Sequence, residues 1–367
     1  SKPMPMATAH PTKFCQVCCN VATPTQDQMM RSVMTLAIGA LGAGLALQLS
    51  VPLFMITGPA IAVALAGYAR LPVMIAPLMR NIIFVVTGVI LGAQIDSTAT
   101  AALVTWPIVF VALAMMLLTL VPISSVMLMR LFGFDRTGAV LASTPSIFTR
   151  RISKDYPDRE RIALVQSVRM LVLALAMPVL AALFGIHVDL AALQPTVNMG
   201  IVSFSILSFI SVFVGLVLNR LKIPGALLIS GMMVAILAQL AGFVKGAPSA
   251  DITLLGYIAI GTLLGSRLAK IRRKQIGSGL WAGLATSALA LTASIGFAVA
   301  AGAITGLPVL HIIAGLAPGG LETMVTIGAV MGANAGFIAA CHVVRIFVLM
   351  AAVPLMLHRK QGKSDAV

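Results

Sequence analysis

The stretch Leu316–Met324, LAPGGLETM, places a carboxylate, Glu322, and a helix-breaking Pro-Gly-Gly inside a run of apolar residues. The glycine pair would let backbone amides approach a ligand, and would also permit a left-handed turn that side chains strain. A helix starting at about Leu321 would offer unpaired N–H groups and about half a positive charge, which favour anions. The pattern predicts a solute-binding tip, and the alternative is a tight turn with a structural carboxylate. The candidate solute contacts of this tip are Pro318, Gly319, Gly320, Leu321, Glu322 and Thr323.

Two arginines lie deep inside apolar segments. Arg345 is about 16–20 Å along a helix from either end of its segment, and Arg169 is about 12 Å beyond Arg161. An unpaired arginine in mid-membrane costs several kcal/mol, so each needs an anionic partner. We predict that Arg345 binds solute and that Arg169 is structural; the alternative for both is to neutralise Glu322 or the carbonyl ends of broken helices. Polar groups expected behind these contacts are Gln166, Asn334 and His342.

The composition identifies the surroundings of these groups. Hydrophobic residues make up 59% of the 367 and charged residues 10%, with a mean hydropathy of +1.05. Soluble domains carry about 25% charged residues, and about 20 apolar residues suffice to cross a bilayer as a helix. The net charge of +15 is distributed in short basic clusters between apolar segments, as the positive-inside rule describes. The sequence predicts an all-α polytopic membrane protein with the lipid bilayer as partner and no nucleic acid.

The chain repeats itself. RTGAVLASTPS aligns with VLHIIAGLAPGG, which places Pro145 on Pro318, 173 residues later, and GVILG aligns with GTLLG at the same offset. VQSVRMLVLALAMP likewise matches CHVVRIFVLMAAVP, which pairs Arg169 with Arg345. The sequence is therefore a duplication with two corresponding tips. The candidate contacts of the first tip are Ser143, Thr144, Pro145 and Ser146.

Loop charges favour an inverted arrangement of the two halves. Residues 136–150 are too few to span as a helix, and counting them as a span puts the basic cluster at 150–161 outside. We predict two inverted repeats, each of five transmembrane helices plus one re-entrant hairpin, with cytoplasmic N- and C-termini. The predicted divisions are a flexible leader at 1–30, the first repeat at 31–185, an outer linker at 186–199, the second repeat at 200–358 and a cytoplasmic tail at 359–367.

Inverted repeats with broken helices are typical of secondary transporters, whose sites lie near the midplane. No HExxH or phosphate-loop motif is present, and three leader cysteines with one histidine are weak evidence for a metal site. We therefore expect no enzyme, cofactor or metal. The prediction is an inner-membrane transporter of a small anionic organic solute, coupled to protons or sodium and assembled as a homodimer.

The blocks APGGLETM…GAN…VVRIFVLMAAVP and ASTPS…VQSVRMLVLALAMP resemble the AbrB-type duplicated bacterial membrane proteins. The resemblance covers essentially all of residues 31–358, and Pro-Gly-Gly-Leu-Glu is its most specific part. It implies kinship with inverted-repeat cation and anion transporters. Members are commonly labelled ammonia monooxygenases or regulators of gene expression, which leaves a metal-dependent membrane enzyme and a membrane-embedded regulator or sensor as alternatives. The first repeat departs from the pattern, with TPSIFTRR in place of APGGLETM.

Overall fold

A computed structural model describes residues 25–94, 105–144, 158–185, 195, 197–221, 223, 225–269 and 278–358. Within these ranges the chain is helical. The thirteen helices of the described residues are α1 Gln26–Gln48, α2 Phe54–Tyr68, α3 Pro77–Ala93, α4 Trp106–Phe132, α5 Arg136–Ser143, α6 Arg159–Leu183, α7 Ile201–Arg220, α8 Ala226–Leu240, α9 Ala250–Leu268, α10 Ser278–Thr305, α11 Val309–Leu316, α12 Leu321–Val330 and α13 Ala335–His358.

Seven of these helices, α1, α4, α6, α7, α9, α10 and α13, are long and apolar enough to cross a membrane. Helices α2, α3 and α8 are apolar but shorter, with 15, 17 and 15 residues. The sequence predicts ten crossing segments, at about 32–50, 53–69, 76–95, 101–129, 161–184, 200–219, 224–243, 252–268, 277–304 and 335–357, and each overlaps one of these ten helices. The prediction of an all-helical chain with many apolar spans is therefore confirmed. Helix α1 begins at Gln26, inside the predicted leader, whose cysteines lie outside the described residues.

The packing partners of the two halves correspond. Within the halves, α1 packs on α2 and α7 packs on α8. Between the halves, α2 packs on α9 and α3 packs on α8, so the second helix of each half contacts the third helix of the other. Helices α3 and α9 also contact each other, as do α4 and α10. The list of contacts is thus nearly unchanged when the two halves are exchanged.

Glycines allow the contacts between the halves to be close. A methyl group on Gly88 of α3 would lie under 3.0 Å from the carbonyl oxygen of Leu228 in α8. In the corresponding pair, a methyl group on Gly261 of α9 would lie equally close to the carbonyl oxygen of Ile56 in α2. One turn further on, Gly92 and Gly265 repeat the arrangement against the backbones of the same two helices. Small residues spaced in this way let helix backbones approach within membranes.

Candidate solute-binding site

Helices α11 and α12 form a hairpin. The ring nitrogen Nε2 of His311, near the start of α11, lies 3.2 Å from the carbonyl oxygen of Met331, just after α12. A continuous helix would separate these two residues by about 30 Å. Helix α11 ends at Leu316 and α12 begins at Leu321, so the predicted break at Pro-Gly-Gly is confirmed.

The arms of the hairpin lie in the hydrophobic core. Seven of their apolar side chains have no exposed surface: Ile312, Ile313, Ala314, Leu316, Met324, Val325 and Ile327. At the tip, Ala317, Pro318 and Gly319 are buried and Gly320 is half-buried. Irregular backbone at membrane depth is tolerated where protein surrounds it or where it lines a watered cavity. Ala317, Pro318 and Gly319 meet the first condition, and Gly320 is partly exposed.

The glycines of the tip do not adopt a left-handed conformation. Gly320 precedes α12 with φ −72° and ψ 133°, and Gly319 also has a negative φ. The expectation of a left-handed turn is therefore wrong, because the chain enters α12 through extended backbone open to any residue. Space is the constraint instead, since a methyl group on Gly319 would overlap the side chain of Met324.

Arg345 binds the backbone of the tip. Its Nη1 and Nη2 atoms donate to the carbonyl oxygens of Ala317 at 3.1 Å and Gly319 at 3.3 Å, and its side chain is 5% exposed. Cations stabilise helix C-termini, where carbonyl groups lack partners. Among the described residues no ion pair within 4.0 Å joins Arg345 to Glu322. The contacts thus match the alternative in which Arg345 neutralises the carbonyl end of a broken helix.

Arg169 makes the corresponding contact in the first half. Its Nη1 atom donates to the carbonyl oxygen of Ser143, the last residue of α5, at 2.7 Å, and the side chain is 1% exposed. Gln166 reinforces this contact, because its Nε2 atom donates to the carbonyl oxygens of Leu141 at 2.7 Å and Thr144 at 3.3 Å. Each half therefore uses an arginine of its long helix to bind the end of its short helix.

The hydroxyl groups of the first tip contact their own helix. Ser143 Oγ donates to the Ala139 carbonyl oxygen at 2.7 Å, and Thr144 Oγ1 donates to that of Val140 at 2.8 Å. Ser125 of α4 adds a hydrogen bond of 3.1 Å to the Ser143 hydroxyl. This network holds α5 in place. The other two predicted contacts of this tip, Pro145 and Ser146, lie outside the described residues.

A polar corner lies beside Gly320. A methyl group built there would have three nearest neighbours: Arg267 Nη1 at 3.5 Å, Thr323 Oγ1 at 3.7 Å and Glu322 Oε2 at 3.9 Å. All three are polar side-chain atoms. The N-cap residue of α12 is Gly320, and no described side chain caps the first N–H groups of this helix. Arg267 and Glu322 are half-buried, which leaves the corner within reach of a solute.

Arg267 was not among the predicted site residues, because it belongs to the basic cluster assigned to the cytoplasmic loop. The structure instead brings it, from the end of α9, to the tip of the hairpin. One feature of the sequence points to Arg267. The repeat aligns it with Gln94, a polar residue two positions after GVILG that lies at the C-terminal end of α3. Gln94 accepts a hydrogen bond of 3.0 Å from the hydroxyl group of Tyr257.

The remaining predicted polar groups lie away from the corner. The side-chain oxygen of Asn334 accepts a hydrogen bond of 3.0 Å from the backbone N–H of Phe337, so it caps the start of α13. His342 is fully buried on α13. Of these two residues, Asn334 is the one that stabilises the start of the helix that carries Arg345.

The apolar helices and the hairpin buried among them define a multi-pass helical membrane protein. Residues 54–360 match the family model AbrB, described as transition state regulatory protein AbrB. The chain belongs to the AbrB family, as its resemblance predicted. Comparisons with curated proteins and with solved structures found no match.

Proposed function

We propose that this protein is an inner-membrane secondary transporter of a small anionic organic solute, which binds at the tip of the α11–α12 hairpin. The observation that carries the proposal is the polar corner at Gly320, where a guanidinium, a hydroxyl and a carboxylate surround one open position. Transporters place solute sites at broken helices, where backbone groups are free to bind. The half-buried state of the corner fits a site that exchanges solute with one side of the membrane.

The proposal includes two inverted repeats, in which α5 and the α11–α12 hairpin enter the membrane from opposite faces. The corresponding packing partners of the two halves support a two-fold relation between them. The fold-back of α12 on α11 supports a re-entrant path, since it returns the chain to the side from which α11 starts. Arg169 and Arg345 would then bind the C-terminal ends of α5 and α11 in equivalent ways. The two halves could move relative to one another about the two tips, so that the site opens to each side of the membrane in turn.

The proposed topology predicts the outcome of cysteine labelling. Single cysteines placed at 152–160 and in the tail at 359–367 should react only when the cytoplasmic face is accessible, and cysteines at 187–197 should react from outside. The background for these variants is the chain with its four native cysteines replaced by serine. Labelling of 152–160 from outside would contradict the two-hairpin topology, because the odd segments would then cross the membrane.

Glu322 provides the test of transport. Within the described ranges its carboxylate makes no hydrogen bond or ion pair, and the Thr326 hydroxyl donates only to its backbone carbonyl oxygen. We therefore expect Glu322→Gln to fold normally while uptake into proteoliposomes falls about tenfold or more, or loses its dependence on pH. Glu160→Gln, a change in the first turn of α6 at an exposed position, should leave uptake unchanged.

The solute for this assay is found by a thermal-shift screen of organic anions on the detergent-purified protein. Uptake by Glu322→Gln that equals the parent at every pH would remove Glu322 from the mechanism. A protein that binds no organic anion and moves none would contradict the transport proposal, and the regulator or sensor suggested by the family description would take its place.

A further inference from the structure

The corner beside Gly320 contains a pair of opposite charges that are close to one another and not in contact. Arg267 Nη1 and Glu322 Oε2 both lie within 4 Å of one point, yet no ion pair within 4.0 Å joins them in the described part of the chain. Their separation is therefore between 4.0 Å and about 7 Å. Two unpaired side chains at this separation can each bind a different polar group of one small molecule.

We propose that Arg267 and Glu322 recognise the two ends of one solute, and that this solute is a monocarboxylate with a hydroxyl or ammonium group a few bonds from its carboxylate. The inference rests on the proposed function and specifies its substrate class. Arg267 would bind the carboxylate, Glu322 would accept a hydrogen bond from the donor group, and the Thr323 hydroxyl would contact either.

The guanidinium of Arg267 suits a carboxylate because its planar fork matches the two carboxylate oxygens. Its side chain makes no hydrogen bond or ion pair within the described residues, in contrast to Arg169 and Arg345, which bind backbone carbonyls. Of Arg169, Arg267 and Arg345, Arg267 is also the one that is half-buried rather than buried. It is therefore the guanidinium available to a solute.

The carboxylate of Glu322 restricts the solute further. An ionised carboxylate only accepts hydrogen bonds, so the solute must bring a donor to that side of the corner. A second carboxylate at that position would be repelled by Glu322. The site therefore favours hydroxy and amino acids over plain monocarboxylates and over dicarboxylates.

Three four-carbon probes separate these contributions: butyrate, 3-hydroxybutyrate and 3-aminobutyrate. In calorimetric titrations of the full-length purified protein, we expect a hydroxyl- or amino-bearing probe to bind about tenfold more tightly than butyrate. Arg267→Gln should weaken binding of all three probes about tenfold or more, and Arg267→Lys should weaken it less. Glu322→Gln should reduce the preference to about twofold without weakening butyrate.

Arg220→Gln, which removes an exposed arginine at the end of α7, is the matched control and should bind as the parent does. Melting temperature and gel filtration verify that each variant is folded. Binding by folded Arg267→Gln at parental affinity, equal binding of the three probes, or no binding of any probe would each overturn the inference. Uptake of a screened solute that survives Arg267→Gln would overturn it while leaving transport standing. Binding that depends on Arg267, in a protein that takes up no solute, would contradict transport and leave the inference standing.

Discussion

Gly261→Val should prevent stable assembly of the bundle, and Gly88→Val should have the same effect. In each case the new side chain would meet a backbone carbonyl of the other half, Ile56 or Leu228, under 3.0 Å from its first carbon atom. A backbone neighbour cannot move aside as a flexible side chain does. Overpacking of this kind costs about 3 kcal/mol or more. The two glycines lie in the contacts of α9 with α2 and of α3 with α8, which form the main interface between the halves.

The measurement is the fraction of purified protein that elutes as a monodisperse peak in detergent, together with its melting temperature. Gly44→Val and Gly296→Val are the matched controls, since both are glycines within long helices with nothing within 4 Å of an added methyl group. They should behave as the parent does. A Gly261→Val variant as stable as Gly44→Val would mean that α9 does not pack on α2 as described.

Gly320→Val should weaken solute binding more than tenfold, about 1.4 kcal/mol, without unfolding the protein. Its first added carbon would sit at ordinary contact distance, 3.5 Å from Arg267 Nη1, and its two methyl groups would fill the corner. The backbone there has φ −72° and ψ 133°, which valine adopts freely. The change therefore removes space for solute and leaves the fold intact.

Gly200→Val is the control for this variant. Gly200 also precedes a helix in extended conformation, with φ −62° and ψ 145°, and nothing lies within 4 Å of an added methyl group. It should bind solute as the parent does. Gly319→Val is a poorer test, because its side chain would overlap Met324 and disturb the arm of the hairpin. A folded Gly320→Val protein with parental affinity would show that the tip only turns the chain.

Much of the fold follows from local features of the sequence. Apolar runs and Pro-Gly-Gly are sufficient to predict the helices and the break before Leu321, because length and helix-breaking residues act locally. The equivalence of Arg169 and Arg345 could also be predicted, since the duplication preserves the residues around them. The same alignment pairs GVILG with GTLLG, whose glycines prove to occupy corresponding contacts.

The site was less predictable, because hydrogen bonds depend on what folding brings together. Sequence position alone gave Arg345 a role in solute binding, whereas its donors contact Ala317 and Gly319. Arg267 is separated from the tip by the whole of α10 and α11, so its charge could only be assigned to the nearest loop. A left-handed turn was expected from glycine composition, which reports conformational freedom and carries no information on the φ that is used.

The exchange of partners between the halves has a consequence for synthesis in the cell. Gly88 packs against Leu228, which the ribosome adds roughly 7–28 s later at about 5–20 residues per second. During that interval the close-packing face of α3 has no protein partner, and neither has that of α2. The first half therefore gains these close helix contacts only after the second half has been made. A fragment that ends before α8 would lack the partner of this face of α3.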